Sequence, residues 1–76
     1  MASPAAELIA FIARGIVAHP EEIRVRESDG GSLLELETHA DDRGRVIGRQ
    51  GRVAKAMRAL LGVSPHGARC RLDIVD

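Results

Sequence analysis

The sequence predicts an α+β fold, a three-stranded mixed sheet with three helices packed on one face, in the order α-β-β-α-α-β. Three observations lead there. A helical apolar period opens the chain and stops at a proline. Two runs of period two follow, joined by Asp29-Gly30-Gly31. A second helical stretch, interrupted by two glycines, then precedes a last run of period two. With 76 residues the chain has room for one domain, expected to cover residues 1–76.

Ser3-Pro4 opens the first helix, because serine caps free amides at a helix start and proline suits the first helical position. Leu8, Ile9, Ile12, Ile16 and Val17 recur at helical spacing as far as Pro20. From Ile23 the period is two, with Ile23 and Val25 alternating against Arg24 and Arg26 in a half-buried strand. Asp29-Gly30-Gly31 is a turn signal. The next strand sets Leu34, Leu36 and Thr38 on one face and Glu35 and Glu37 on the other, so the two strands form an antiparallel hairpin.

Asp41-Asp42 is expected to cap a short helix from Arg43 to about Ile47. Past the glycines, Val53, Ala54, Met57, Leu60 and Leu61 make one apolar stripe, with Arg52, Lys55 and Arg58 as a basic ridge beside it. Gly62 ends that helix and begins a loop. The last strand points Cys70, Leu72 and Ile74 inward and Arg69, Arg71 and Asp73 outward. A connection through two helices is long enough to set this strand parallel to the second.

A net charge of zero conceals segregation. Up to Asp42 there are three basic and nine acidic residues; from Arg43 to Arg71 there are eight basic residues and no acidic one. Such asymmetry points to a basic face for a polyanion. Phe11 is the only aromatic, which excludes domains that stack bases on exposed rings. Cys70 is alone, so no intrachain disulfide forms, and it reads as a small buried hydrophobe. His19, His39 and His66 are scattered with no pair at metal spacing, so neither metal nor cofactor is expected. No Ser/His/Asp grouping and no nucleotide-binding P-loop is present, which argues against an enzyme. The run Leu8 to Ala13 is too short to span a bilayer, and no secretory leader precedes it, so a cytoplasmic location off the membrane is expected. A chain this short buries only about 60–65% of its unfolded surface, and with no disulfide or metal that leaves good packing or oligomerisation to stabilise it.

The candidate site is VIGRQGR, Val46 to Arg52. Each glycine costs a helix interior roughly 1 kcal/mol against alanine, so two of them mark a break with a purpose. Without Cβ, a backbone approaches a ligand closely and admits positive φ. The helix that starts near Gly51 turns free N–H groups and a partial positive charge into the break, an arrangement that attracts anions. Arg49 adds a planar donor fork suited to phosphate, and Gln50 a further hydrogen-bonding group. These features describe a site for a phosphate backbone.

With those residues assembled, the sequence resembles the KH domain of RNA-binding proteins in its type II, bacterial arrangement, and within it the KhpA family of small bacterial proteins. The resemblance runs from the opening helix, ending at His19-Pro20-Glu21-Glu22, through the hairpin and DDRGRVIGRQGRVAKAMRALL (Asp41 to Leu61), to the closing strand. It implies single-stranded RNA binding, about four nucleotides held by the GxxG loop at residues 48–51. Gly48, Arg49, Gln50 and Gly51 would hold the sugar-phosphate backbone, and Ile47 and the apolar side of the next helix would floor the groove. Arg45, Arg52 and Lys55 complete the RNA-binding set. The resemblance also implies RNA chaperone activity or post-transcriptional regulation and, in some bacteria, control of cell shape with a second KH-containing partner. One departure stands out: many KH domains carry a bulky aliphatic where this chain has Ala54, with Val53 one residue earlier. A single four-nucleotide site binds weakly, which implies a homodimer, or a heterodimer with another KH-containing protein. Two alternatives stay open: a helix-turn-helix DNA binder using Arg52, Lys55 and Arg58, and a dimerising interaction module with a vestigial RNA site.

Overall fold

The structure, a computed structural model, describes residues 3–65 and 67–75; His66 lies outside them. Helix α1 (Pro4–Arg14) starts as the sequence predicts, with the Ser3 hydroxyl accepting the Ala6 amide at 3.2 Å. A second restraint holds the same start: the Glu27 carboxylate accepts the Ser3 amide at 3.1 Å. The helix stops well short of Pro20, at Arg14, with Gly15 as its C-cap. The cause lies far along the chain, at the buried Asp42. Its carboxylate accepts the amides of Ala18 and His19, at 3.1 and 2.9 Å, and the His19 ring N–H at Nδ1, at 3.0 Å. These bonds draw residues 18 and 19 away from the helix axis and leave Ile16 exposed.

After a 3-10 turn at Pro20–Glu22, strand β1 (Arg24–Ser28) and strand β2 (Leu33–Glu37) form the expected hairpin. They pair antiparallel, Val25 opposite Leu36, around the turn Asp29–Gly31. Thr38 falls just beyond β2. Strand β3 (Arg71–Val75) lies parallel to β2, Leu34 beside Leu72, and the sheet order is β1-β2-β3. The mixed sheet is therefore as predicted, with Cys70 just ahead of β3 and its thiol donating to the Gly31 carbonyl at 3.3 Å.

Helices α2 (Arg43–Ile47) and α3 (Arg52–Val63) join α1 over the face that holds Leu34, Leu36 and Leu72. Ile9, Ile23, Val46, Met57 and Leu61 complete the largest buried side chains of this core. The opposite face carries Arg26, Glu35, Glu37, Arg71 and Asp73, with Arg26 and Glu37 in a 2.9 Å ion pair.

Three expectations need correction. Asp42 makes no side-chain bond to the start of α2, because its oxygens are taken by residues 18 and 19; His39 instead caps the preceding 3-10 turn, Nδ1 accepting the Asp41 amide at 3.0 Å. The α3 stripe is narrower than the sequence predicts: Ala54, Met57 and Leu61 are buried, Leu60 is 47% exposed, and the helix continues through Gly62 to Val63. His19 and His39 are not separate, since their rings stack at 3.9 Å with a 12° tilt. Among the described residues, no helix is long and apolar enough to cross a membrane.

Candidate nucleic-acid interface

The joint between α2 and α3 is built by four residues. Gly48 leaves the helical region at φ 79°, ψ 166°, its amide still bonded to the Gly44 carbonyl at 2.8 Å. Arg49–Gly51 form one 3-10 turn, closed by the Gly51 amide on the Gly48 carbonyl at 3.0 Å. Gln50 and Gly51 are both left-handed, at φ 57° and 73°. The two glycines serve different ends. A Cβ on Gly48 would stand 2.5 Å from Val53 Cγ2 and 2.8 Å from the Val53 nitrogen, so Gly48 lets the joint close onto α3. A Cβ on Gly51 would meet nothing within 4 Å; that residue supplies only the left-handed conformation, which costs other residues about 1–2 kcal/mol.

Gly51 is the N-cap of α3 and has no side chain to accept the first amides of the helix. No acidic residue stands in the first turn either. The Arg49 carbonyl accepts the Arg52 amide, but no side chain and no acidic residue answers the partial positive charge at the start of this 12-residue helix.

Around this opening the predicted residues come together. Arg45, Ile47, Arg49, Gln50, Arg52 and Lys55 are all exposed. Arg52 donates to the Gln50 side-chain oxygen at 3.2 Å, which turns the Gln50 amide nitrogen away from Arg52. Among the described residues, Arg45, Arg49, Arg52 and Lys55 form no ion pair with a carboxylate. Their charge is open to a ligand. Ile47 is 38% exposed while its neighbour Val46 is fully buried, so α2 offers one apolar side chain beside the loop.

Two sequence-derived positions take other roles. Arg58 leaves the basic ridge and donates from Nε and Nη2 to the Leu72 carbonyl, at 3.1 and 3.0 Å. Ala54, 4% exposed, belongs to the core rather than to an open groove floor, and half-buried Val53 lies against Gly48. Sequence reasoning missed Asp42, which locks the segment before α2 to the one before β1. The two adjacent acids before the helix were visible, but which of them turns inward is decided by tertiary contacts.

A three-stranded mixed sheet backed by helices, with the second and third helices joined through a GxxG turn, defines a KH domain. The comparison with protein families agrees, since the KhpA/KhpB KH-domain model matches residues 6–74. The chain belongs to the KhpA family. Among its relatives, the RNA-binding protein KhpA of Leifsonia xyli subsp. xyli is 44% identical over 73 residues, 93% of this chain and 96% of that one. Its namesake in Halalkalibacterium halodurans is 47% identical, over 91% of this chain and 96% of the relative. That of Treponema pallidum is 46% identical, over 92% of each. No solved structure matches.

Proposed function

We propose that this chain binds single-stranded RNA by its sugar-phosphate backbone at the Gly48–Gly51 joint. The observation that carries the reading is the uncapped start of α3, reached across two glycines and surrounded by exposed cations. A phosphate placed there meets the positive end of the helix and the Arg49 fork together, and both gain from its negative charge. The Gln50 amide supplies a neutral donor, Ile47 an apolar contact for a sugar or base, and Arg45, Arg52 and Lys55 a field along the strand. The only Phe, Tyr or Trp of the chain is Phe11, on α1, so recognition at the joint falls on the backbone and is tolerant of sequence. Such a binder suits an RNA chaperone or post-transcriptional regulator in the cytoplasm rather than an enzyme. One site of about four nucleotides gains useful affinity when a second site is tethered to it, from another copy or from a KH-containing partner.

The helix-turn-helix alternative is disfavoured by α2, whose five residues form barely more than one turn, and by the strands on both sides of the helix pair. The test is a titration of parent and R49D/Q50D against single-stranded RNA, single-stranded DNA and duplex DNA. Both side chains are exposed, and Asp tolerates the left-handed conformation at position 50, so the variant is expected to fold. Its RNA affinity should drop about tenfold or more, the scale of one lost charged hydrogen bond plus repulsion. A folded variant that binds like the parent would refute the phosphate clamp, and a parent preference for duplex DNA would reinstate the alternative.

A further inference from the structure

The antiparallel hairpin closes with Arg24 opposite Glu37, so the chain enters and leaves it side by side. The entering segment carries His19, just before the 3-10 turn Pro20–Glu22, and the leaving segment carries His39 and Asp41 at the turn Ala40–Asp42. Distant in sequence, these three side chains each offer one ligand atom within 4.8 Å of the other two. Both rings are half-buried and Asp41 is exposed, so an ion can reach the cluster from solvent. The two turns also bring four carboxylates, Glu21, Glu22, Asp41 and Asp42, and this surrounding charge favours a cation.

Each ring already has a carboxylate near one nitrogen and a lone pair on the other. His19 donates from Nδ1 to the buried Asp42 at 3.0 Å, which leaves its lone pair on Nε2. His39 accepts the Asp41 amide at Nδ1, so its lone pair is there, 3.6 Å from Asp41 Oδ2, while its Nε2 stands 3.9 Å from Glu22 Oε2. A carboxylate at the far nitrogen orients a ligating histidine and strengthens it as a donor. Ligands at about 2.1 Å around a tetrahedral zinc lie about 3.4 Å apart, close to the His39–Asp41 separation. Two imidazoles and a carboxylate suit zinc and its neighbours, whereas calcium and magnesium demand oxygens throughout. We propose that His19, His39 and Asp41 bind a divalent transition ion of the zinc type, through Nε2, Nδ1 and Oδ2, with water in the fourth position. The stacked rings, 3.9 Å apart, do not aim both in-plane lone pairs at one point, so one ring turns on binding. Asp42 holds His19, and His39 is the ring that moves, exchanging the Asp41 amide for the ion. The bound ion then ties the two ends of the hairpin together beside the Asp42 lock.

The test is isothermal titration of the tag-free chain with zinc chloride, and separately with magnesium chloride, on the parent, D41N, H39Q and C70S. Circular dichroism establishes that each variant is folded, and D41N alters only an exposed side chain, so it stays informative if H39Q loses its turn cap. The parent should bind one zinc ion per chain and bind magnesium far more weakly. D41N and H39Q should each lose roughly tenfold or more in zinc affinity, since even partners outside the ligand set are worth that much. Cys70, beside Gly31 at the other end of the hairpin, is the rival soft ligand, and C70S should bind zinc like the parent. Long-range proton–nitrogen NMR spectra should show His19 Nε2 and His39 Nδ1 moving to metal-bound shifts. A parent that binds no zinc, or binds magnesium as tightly, would overturn the proposal. So would a folded D41N that binds zinc like the parent, or a C70S that loses it.

Discussion

At the scale of single residues, the two glycines of the joint look equivalent in the sequence and differ in the structure. Gly48 is both positive in φ and in near contact with Val53, whereas Gly51 is left-handed in open space. Gly51→Ala should therefore cost only the conformational penalty, about 1–2 kcal/mol. Gly48→Ala adds a steric clash with side chain and backbone, and should cost more, about 3 kcal/mol or above. Thermal melts of the two variants rank them directly, and equal costs would contradict the packing role of Gly48. Shortening Val53 to Ala in the Gly48→Ala background should recover part of the loss, because the nearest clashing atom is removed while the backbone contact stays. The sequence showed that a glycine break was present and that it lay before a basic helix. It did not show which glycine is steric, since that depends on how closely α3 folds back onto the loop.

At the scale of elements, what was legible followed local chemistry. The Ser3 cap, the Asp29-Gly30-Gly31 turn and the alternation of β2 all act through neighbours in the chain, so the sequence displays them. The early end of α1 was not legible, because Asp42 takes the amides of residues 18 and 19 from more than twenty positions away. The outward turn of Leu60 was hidden for a similar reason: tertiary packing buries Ala54, Met57 and Leu61 of the α3 stripe and leaves Leu60 outside it. The Asp42 lock is also sensitive to pH. The hydrogen bond to Asp42 raises the His19 pKa above its ordinary value, helped by the charges of Asp42, Glu21 and Asp41 and opposed by desolvation. Burial pushes the Asp42 carboxyl up, but the Ala18 amide and the ring and amide of His19 together hold it below the ordinary value. The His19 contribution is complete below the unfolded histidine pKa and is lost as pH rises through the raised folded value. That of Asp42 is complete above the unfolded aspartate pKa and is lost as pH falls through the lowered one. Both are in force between about pH 4 and about pH 6.5. With the chain kept metal-free by chelation, the melting-temperature advantage of the parent over H19Q should be largest within that window and shrink towards alkaline pH. An advantage that grows on the alkaline side would show that the pair is not the source.

At the scale of the whole molecule, the charge asymmetry of the sequence becomes a division of surfaces. The acidic first half supplies α1, the hairpin and the Asp42 lock, while six of the eight cations after Asp42 lie on α2, the joint and α3. Binding of single-stranded RNA should therefore weaken with salt, by about 0.7 log units in affinity per log unit of salt for each phosphate neutralised. Two to four contacts correspond to a slope of roughly −1.5 to −3, and a flat response in filter binding would rule out a phosphate-centred interface. The sheet has two open margins, and one of them is guarded. Arg71 directs its amide to Ser32 on the β2 side, so the next residue, Leu72, turns its own peptide groups to the free margin of β3, where the Arg58 fork occupies the carbonyl. A bare strand margin is a template on which a second chain can add itself, and growth from it leads to insoluble fibres. Arg58 places a charged, bulky obstacle on that template, so an arginine that the sequence places in the basic ridge of α3 acts to guard the open strand margin. Arg58→Ala should leave the RNA affinity of the joint nearly unchanged while increasing turbidity during prolonged heating, and light scattering that matches the parent would remove this role.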